Sequence, residues 1–131
     1  RDATPSRYRH PHIIDLGVLP LERVPMLLSA LDLGVISNID SPFGRYCFPQ
    51  KLHELTACGT PFVAANIGET AAMLHRHPHL LFPPGDAIGL ACRIRDRLTL
   101  DDSQGIPIHP HTWNELAREL DSFFGSLLSP G

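Results

Sequence analysis

Apolar residues in this chain fall into short runs punctuated by Gly, Pro, Asp and Asn, and the runs alternate between two periods. Compact apolar runs read as strands. They are His12-Ile-Ile-Asp-Leu-Gly17, Asp32-Leu-Gly-Val-Ile-Ser37, Pro61-Phe-Val-Ala-Ala65 and Leu80-Leu-Phe82. The third is nearly all apolar, as a strand covered on both faces must be.

Between the strands the spacing is helical. Pro20 to Leu31 predicts helix with Leu27, Leu28 and Leu31 inward, and Pro25 at a first-turn position splits it into two short pieces. Pro49 to Cys58 predicts a helix stopped by Gly59, with Pro61 just beyond. Glu69 to Arg76 makes a short helix after the turn Asn66–Gly68. Pro83-Pro-Gly-Asp86 is a turn with Asp86 as N-cap, and Leu90, Ala91, Ile94 and Leu98 mark one face of the helix it opens. Asn38 to Phe48 and Asp101 to His109 read as loops. Thr112 and Glu115 form a capping box for a last helix, whose Trp113, Leu116, Ala117, Leu120, Phe123, Phe124 and Leu127 recur at helical spacing.

The order β-α-β-α-β-α-β-α-α predicts an α/β doubly wound parallel sheet, Rossmann-like, with about four strands and right-handed crossovers. Residues 1–11 read as a polar lead and 12–128 as one lobe. Ligands of such sheets bind outside the carboxyl ends of the strands. The longest strand-to-helix connection, Asn38–Phe48, leaves one of these ends and leads to Lys51 and Glu54.

Composition narrows the function. At 131 residues with 43% hydrophobic and 19% charged content, the chain is an ordinary globular unit with one core. A net charge of −3 gives no electrostatic footprint for nucleic acid. No apolar run reaches the length of a membrane span. Three cysteines, Cys47, Cys58 and Cys92, lack metal or redox spacing and suit a reducing, cytoplasmic setting. The start at Arg1 and the strand close behind it suggest a fragment.

Three groups of residues could carry chemistry. The helix opening at Pro49-Gln50 has amides without intrahelical partners, which favour an anion. Lys51 adds a point charge, and Glu54, about 60° around the helix, is an acceptor for two hydroxyls. An exposed i,i+3 ion pair on a solvated helix has the same spacing. Phe43-Gly44 in the long loop can let backbone approach a ligand, or be a simple turn. The eight histidines, among them His75-Arg-His77-Pro-His79, bracket prolines and element ends, so they read as turn residues before metal ligands. Neither G-x-G-x-x-G, G-x-x-x-x-G-K-[ST] nor G-x-S-x-G occurs, which removes support for dinucleotide, P-loop and hydrolase chemistry.

Taken in order, Leu16-Gly-Val-Leu-Pro20, Val24-Pro-Met-Leu-Leu28, Ala30-Leu-Asp-Leu-Gly-Val35, Phe48-Pro-Gln-Lys-Leu-His-Glu54, Ala57-Cys-Gly-Thr-Pro61, Gly68-Glu69 and Leu81-Phe-Pro-Pro-Gly-Asp86 resemble the C-terminal, donor-binding lobe of GT-B-fold retaining glycosyltransferases. The likeness runs from about Ile13 to Leu120 and includes Thr112-Trp113. It implies a donor-binding fragment of an enzyme that transfers a glycosyl group from an NDP-sugar, used as substrate with no separate cofactor. The acceptor would be a saccharide or lipid-linked glycan. An N-terminal lobe of the same protein would complete the cleft, in the cytoplasm or at the inner face of the membrane.

The resemblance also implies roles. Glu54 matches the second of the family's paired glutamates and would bind the ribose. Lys51 would lie near the diphosphate. Amides around Phe43-Gly44 and Pro49-Gln50 would face the phosphates or sugar, and Gly17-Val18 the base. The first glutamate falls at Tyr46, which cannot replace a carboxylate. The alternatives are another GT-B enzyme such as a sugar-nucleotide epimerase, or a flavodoxin-like regulatory domain without a donor site.

Overall fold

The computed structural model describes residues 10–99 and 112–128. A three-stranded parallel sheet forms from β1 (Gly34–Ile36), β2 (Phe62–Ala65) and β3 (Leu81–Phe82), in that spatial order. Val35 pairs with Val63, and Ala65 with Phe82. Helices α1 (Val24–Ser29), α2 (Pro42–Tyr46), α3 (Gln50–Ala57), α4 (Gly68–Met73), α5 (Ala87–Thr99) and α6 (Trp113–Leu128) complete the described residues, with single 3-10 turns at Leu21–Arg23 and Pro78–Leu80.

All four residues of β2 are buried, and the period-2 alternation of a strand divides them between two cores. On one side Phe62 and Ala64 meet Leu28 of α1, Leu52 and Leu55 of α3, and Leu74 and Leu80. On the other, Val63, Ala65 and Phe82 meet Leu90 and Ile94 of α5. Helices on both faces make this the expected α/β, Rossmann-like architecture. Thr60, 5% exposed, spans from the α3–β2 turn to α1, its hydroxyl donating to the Leu28 carbonyl at 2.7 Å. Thr60→Val keeps the shape and loses that bond. A loss of about 1 kcal/mol is expected, read as a thermal midpoint lower by roughly 3–5 °C for a chain of 131 residues.

Several local expectations change. Residues 12–17 form no strand. The Asp15 carboxylate accepts from the Gly17 amide at 2.8 Å, an Asx turn that competes with sheet pairing, and Ile13, Ile14 and Leu16 are exposed. The sheet therefore has three strands among the described residues instead of about four. The long loop contains a helix, because Ser41 is an N-cap, its Oγ accepting from Gly44 N at 3.1 Å, and Pro42 fits the first helical turn. Pro25 does sit in the first turn of α1, after the short 3-10 piece. Of its leucines Leu28 alone is buried, while Leu31 is 38% exposed. Asp86 caps α5 through Gly89 N. Ala91 and Leu98 stay exposed on it. The loop expected at Asp101–His109 lies outside the described residues.

Candidate functional site

Because the sheet is parallel, β1, β2 and β3 all end on one rim, and every helix that follows a strand begins there. The segment after β1 builds most of that rim. Asn38 Nδ2 approaches Cys47 Sγ at 3.5 Å, closing the segment over α2. Asp40 and Arg45 pair at 2.7 Å. The hydrogen bond from Arg45 holds the Asp40 carboxyl below its ordinary value near 3.8. It is therefore ionised at neutral pH and the pair is intact. With Ser41, Pro42 and Tyr46 these two residues line a cleft of about 340 Å³. Tyr46, at the position matched to the first glutamate, is almost fully exposed there.

The next segment turns α3 onto the rim. Pro49 is its N-cap and carries no N–H. The Gln50 amide bonds back to Phe48 O at 2.9 Å, and the Leu52 amide to Pro49 O at 3.0 Å. The Lys51 amide has no intrahelical carbonyl four residues behind it.

On this first turn three side chains converge. Gln50 Nε2 donates to Glu54 Oε1 at 2.8 Å, and Lys51 Nζ to Glu54 Oε2 at 3.2 Å. The carboxylate is thus fixed by one donor on each oxygen. An ionised carboxylate has about four acceptor positions, so two remain for a ligand. The Lys51 side chain is 68% exposed and that of Glu54 27% exposed, so the cation reaches outward and the acid lies against the helix. As a stability element such an exposed pair is weak. As a preorganised group that accepts hydrogen bonds beside a cation, it has the chemistry to hold a hydroxylated, phosphorylated molecule.

The other predicted residues are placed differently. Gly44 is buried, and its amide is used by Ser41 Oγ instead of facing a ligand. Its value is the absent side chain, since a Cβ there would sit 2.1 Å from the Ile39 carbonyl oxygen. Phe43 points to solvent at 79% exposure. Gly17 has φ 63, which glycine supports, and Val18 is fully exposed, so its side chain touches nothing on α3. Lys51, Glu54 and Gln50 are therefore brought together, and Gly17 and Val18 are not joined to them.

Two features escaped sequence reasoning. One is a stack of the Phe48 and His53 rings, 5.0 Å apart and inclined by 5°. The other is the seating of α2 on α4, where a Cβ on Gly68 would lie 2.5 Å from Arg45 O. The positions Phe48 and His53 straddle a helix start at i,i+5, a weak signal; a close approach at glycine leaves none. Among the described residues no three His, Cys, Asp or Glu side chains are grouped to hold a metal ion, and no helix is long and apolar enough to cross a membrane.

Comparison with known proteins supplies the context. The profile of the family described as Glycosyl transferases group 1 matches residues 3–99. A protein of Bacillus subtilis (strain 168) named for glycosyltransfer in teichuronic acid biosynthesis, TuaH, is 34% identical over 65 residues. That stretch is 50% of this chain and 16% of the relative. No solved structure matches. Neither the epimerase nor the regulatory-domain reading draws support from these similarities.

Proposed function

Because the chain belongs to the group 1 glycosyl transferases, we propose that α3 opens onto the site of a sugar-nucleotide donor. The reaction is transfer of its glycosyl group to an acceptor hydroxyl by the whole protein. In that step the bond from the anomeric carbon to the diphosphate oxygen breaks, and a bond to the acceptor oxygen forms. The acceptor proton is lost and a nucleoside diphosphate departs. The leaving group gathers negative charge, so positive potential fixed beforehand lowers the barrier. The Lys51 amide at the mouth of α3 and the Lys51 ammonium supply that potential, since the Gln50 and Leu52 amides are bonded to Phe48 O and Pro49 O.

Glu54 serves the other end of the nucleotide. Its two unused acceptor positions suit the paired hydroxyls of a ribose, and Gln50 and Lys51 hold the carboxylate in place. The observation that carries this reading is the double anchoring of Glu54 on the first turns of a rim helix in a chain of this family. The acceptor, a saccharide or lipid-linked glycan, and a second lobe that closes the cleft complete the proposal.

Incubating the full-length protein with UDP-, GDP-, ADP- and dTDP-sugars and following release of the free nucleoside diphosphate tests it. Release from one base class, accelerated by a glycan acceptor, is expected. Absence of binding to every nucleotide in the series would remove the donor site.

A further inference from the structure

β3 stands last in the sheet, so one of its sides has no strand beside it. Such an edge is a template for another strand and a route to self-association. Successive backbone groups of a strand point to opposite sides in the plane of the sheet. Phe82 O accepts from Asn66 N at 2.8 Å and so faces β2. The groups of Leu81, one residue back, and of Pro83, one residue on, therefore face outward.

Each of these outward groups is already occupied or missing. The Leu81 amide bonds to Pro78 O, closing the 3-10 turn that leads into the strand. Pro83 carries no N–H, and its carbonyl accepts from Asp86 N at 3.1 Å in the turn before α5. The turns on either side thus deal with every outward position except Leu81 O. That carbonyl accepts from Arg93 Nε at 3.0 Å, a side chain sent across from α5.

Arg93 is placed for this task. It lies about 60° around α5 from Leu90, which packs on the sheet, so it flanks the buried stripe and reaches the edge. Among the described residues no carboxylate pairs with it. A strand arriving at β3 would have to displace the guanidinium from Leu81 O and desolvate its charge, which is costly.

We propose that Arg93 is an edge guard, closing the outer side of β3 to strand addition by a second copy of the chain. Pro83 is its counterpart. Leu81 O and an N–H at position 83 would be complementary across a two-fold axis through Phe82, each copy giving one donor and one acceptor. Proline withholds the donor, and Arg93 occupies the acceptor.

The test compares the full-length protein with Arg93→Met, Pro83→Thr and the double variant, by light scattering over a concentration series and by thermal melting. Methionine keeps the helical preference of Arg93 without a donor. Threonine at 83 supplies an N–H, and Pro84 after it keeps the residue extended. Arg93→Met frees an acceptor with no donor beside it, and Pro83→Thr adds a donor whose acceptor is still occupied. Each alone is expected to keep the wild-type mass. The double variant is expected to double its mass as concentration rises. Arg93→Lys combined with Pro83→Thr, which keeps a cationic donor, should return to the wild-type mass.

A double variant that melts cooperatively yet keeps the wild-type mass at every concentration would overturn the guard. So would Pro83→Thr associating as strongly alone as in the double variant, since Arg93 would then block nothing. If the methionine double variant does not fold, Arg93→Ala with Pro83→Thr opens the same edge with the best helix former and is read by the same outcomes.

Discussion

Glu54→Ala is expected to weaken nucleoside diphosphate binding to the full-length protein by about 1.5–3 kcal/mol, roughly 10- to 150-fold in Kd. The size follows from the kind of bond lost, since hydrogen bonds to an ionised group are the strong ones. In the proposed donor site two ribose hydroxyls lose their acceptor at once. A second effect adds to the first. In the intact protein Lys51 Nζ and Gln50 Nε2 are both drawn to Glu54. Without the carboxylate both side chains regain rotamer freedom, and the cation must be ordered again by each ligand. Glu54→Gln separates these contributions. It keeps one acceptor oxygen and the side-chain length but removes the charge, so a loss smaller than that of alanine is expected. Stability should hardly move, because an exposed i,i+3 pair contributes little. Calorimetric titration of the three proteins decides the matter, and equal affinities would return Lys51 and Glu54 to the role of a solvated surface pair.

The features legible in the sequence share one property, that neighbouring residues decide them. β2 was readable because Phe62-Val-Ala-Ala65 leaves no polar residue for either face, and both faces are buried. The stop of α3 was readable because Gly59 takes φ 68, which a residue with a Cβ resists. Thr112 and Glu115 form the reciprocal capping box, with Thr112 N to Glu115 Oε2 at 2.7 Å and Glu115 N to Thr112 Oγ1 at 3.2 Å.

Features set by distant parts of the chain were not legible. Helix α6 has the expected span and cap, yet Trp113, Phe123 and Leu127 on its apolar stripe are exposed, because a stripe specifies a face and not what covers it. His12–Gly17 has a strand's composition, but a strand also needs a partner, and the Asp15 side chain takes the Gly17 amide instead. Helix α2 was hidden for a different reason. Ser41-Pro42 is start chemistry for a helix as well as for a turn, and five residues are too few to show a period. At the candidate site, the pairing of Lys51 with Glu54 followed from spacing, whereas the third member of the group, Gln50, was expected to contribute its amide and instead joins the group through its side chain, bonded to Glu54.

Gly68→Ala is expected to combine two penalties at the rim, a strained backbone conformation and a clash with backbone atoms of α2. Gly68 has φ 56, a left-handed conformation that costs a residue with a side chain about 1–3 kcal/mol. The contact is worse than the conformation. An added Cβ would lie 2.5 Å from Arg45 O and 2.9 Å from Gly44 O, both backbone atoms of α2. A flexible side chain could move aside, as the Leu55 methyls facing Gly34 can, but a carbonyl moves only with its helix. Helix α2 is joined through residues 47–49 to the mouth of α3, so its displacement shifts the Lys51 amide and side chain together.

Gly85 provides the control. It also has positive φ, at 80, but an added Cβ meets nothing within 4 Å. Gly85→Ala therefore carries the conformational penalty alone and should lower the thermal midpoint without changing ligand affinity. Gly68→Ala should lower the midpoint further and weaken nucleoside diphosphate binding as well. The difference between the two variants measures how far the seating of α2 on α4 sets the geometry of the α3 mouth. Identical melting and identical affinity in both would mean that α2 yields freely and that Lys51 and Glu54 are positioned by α3 alone.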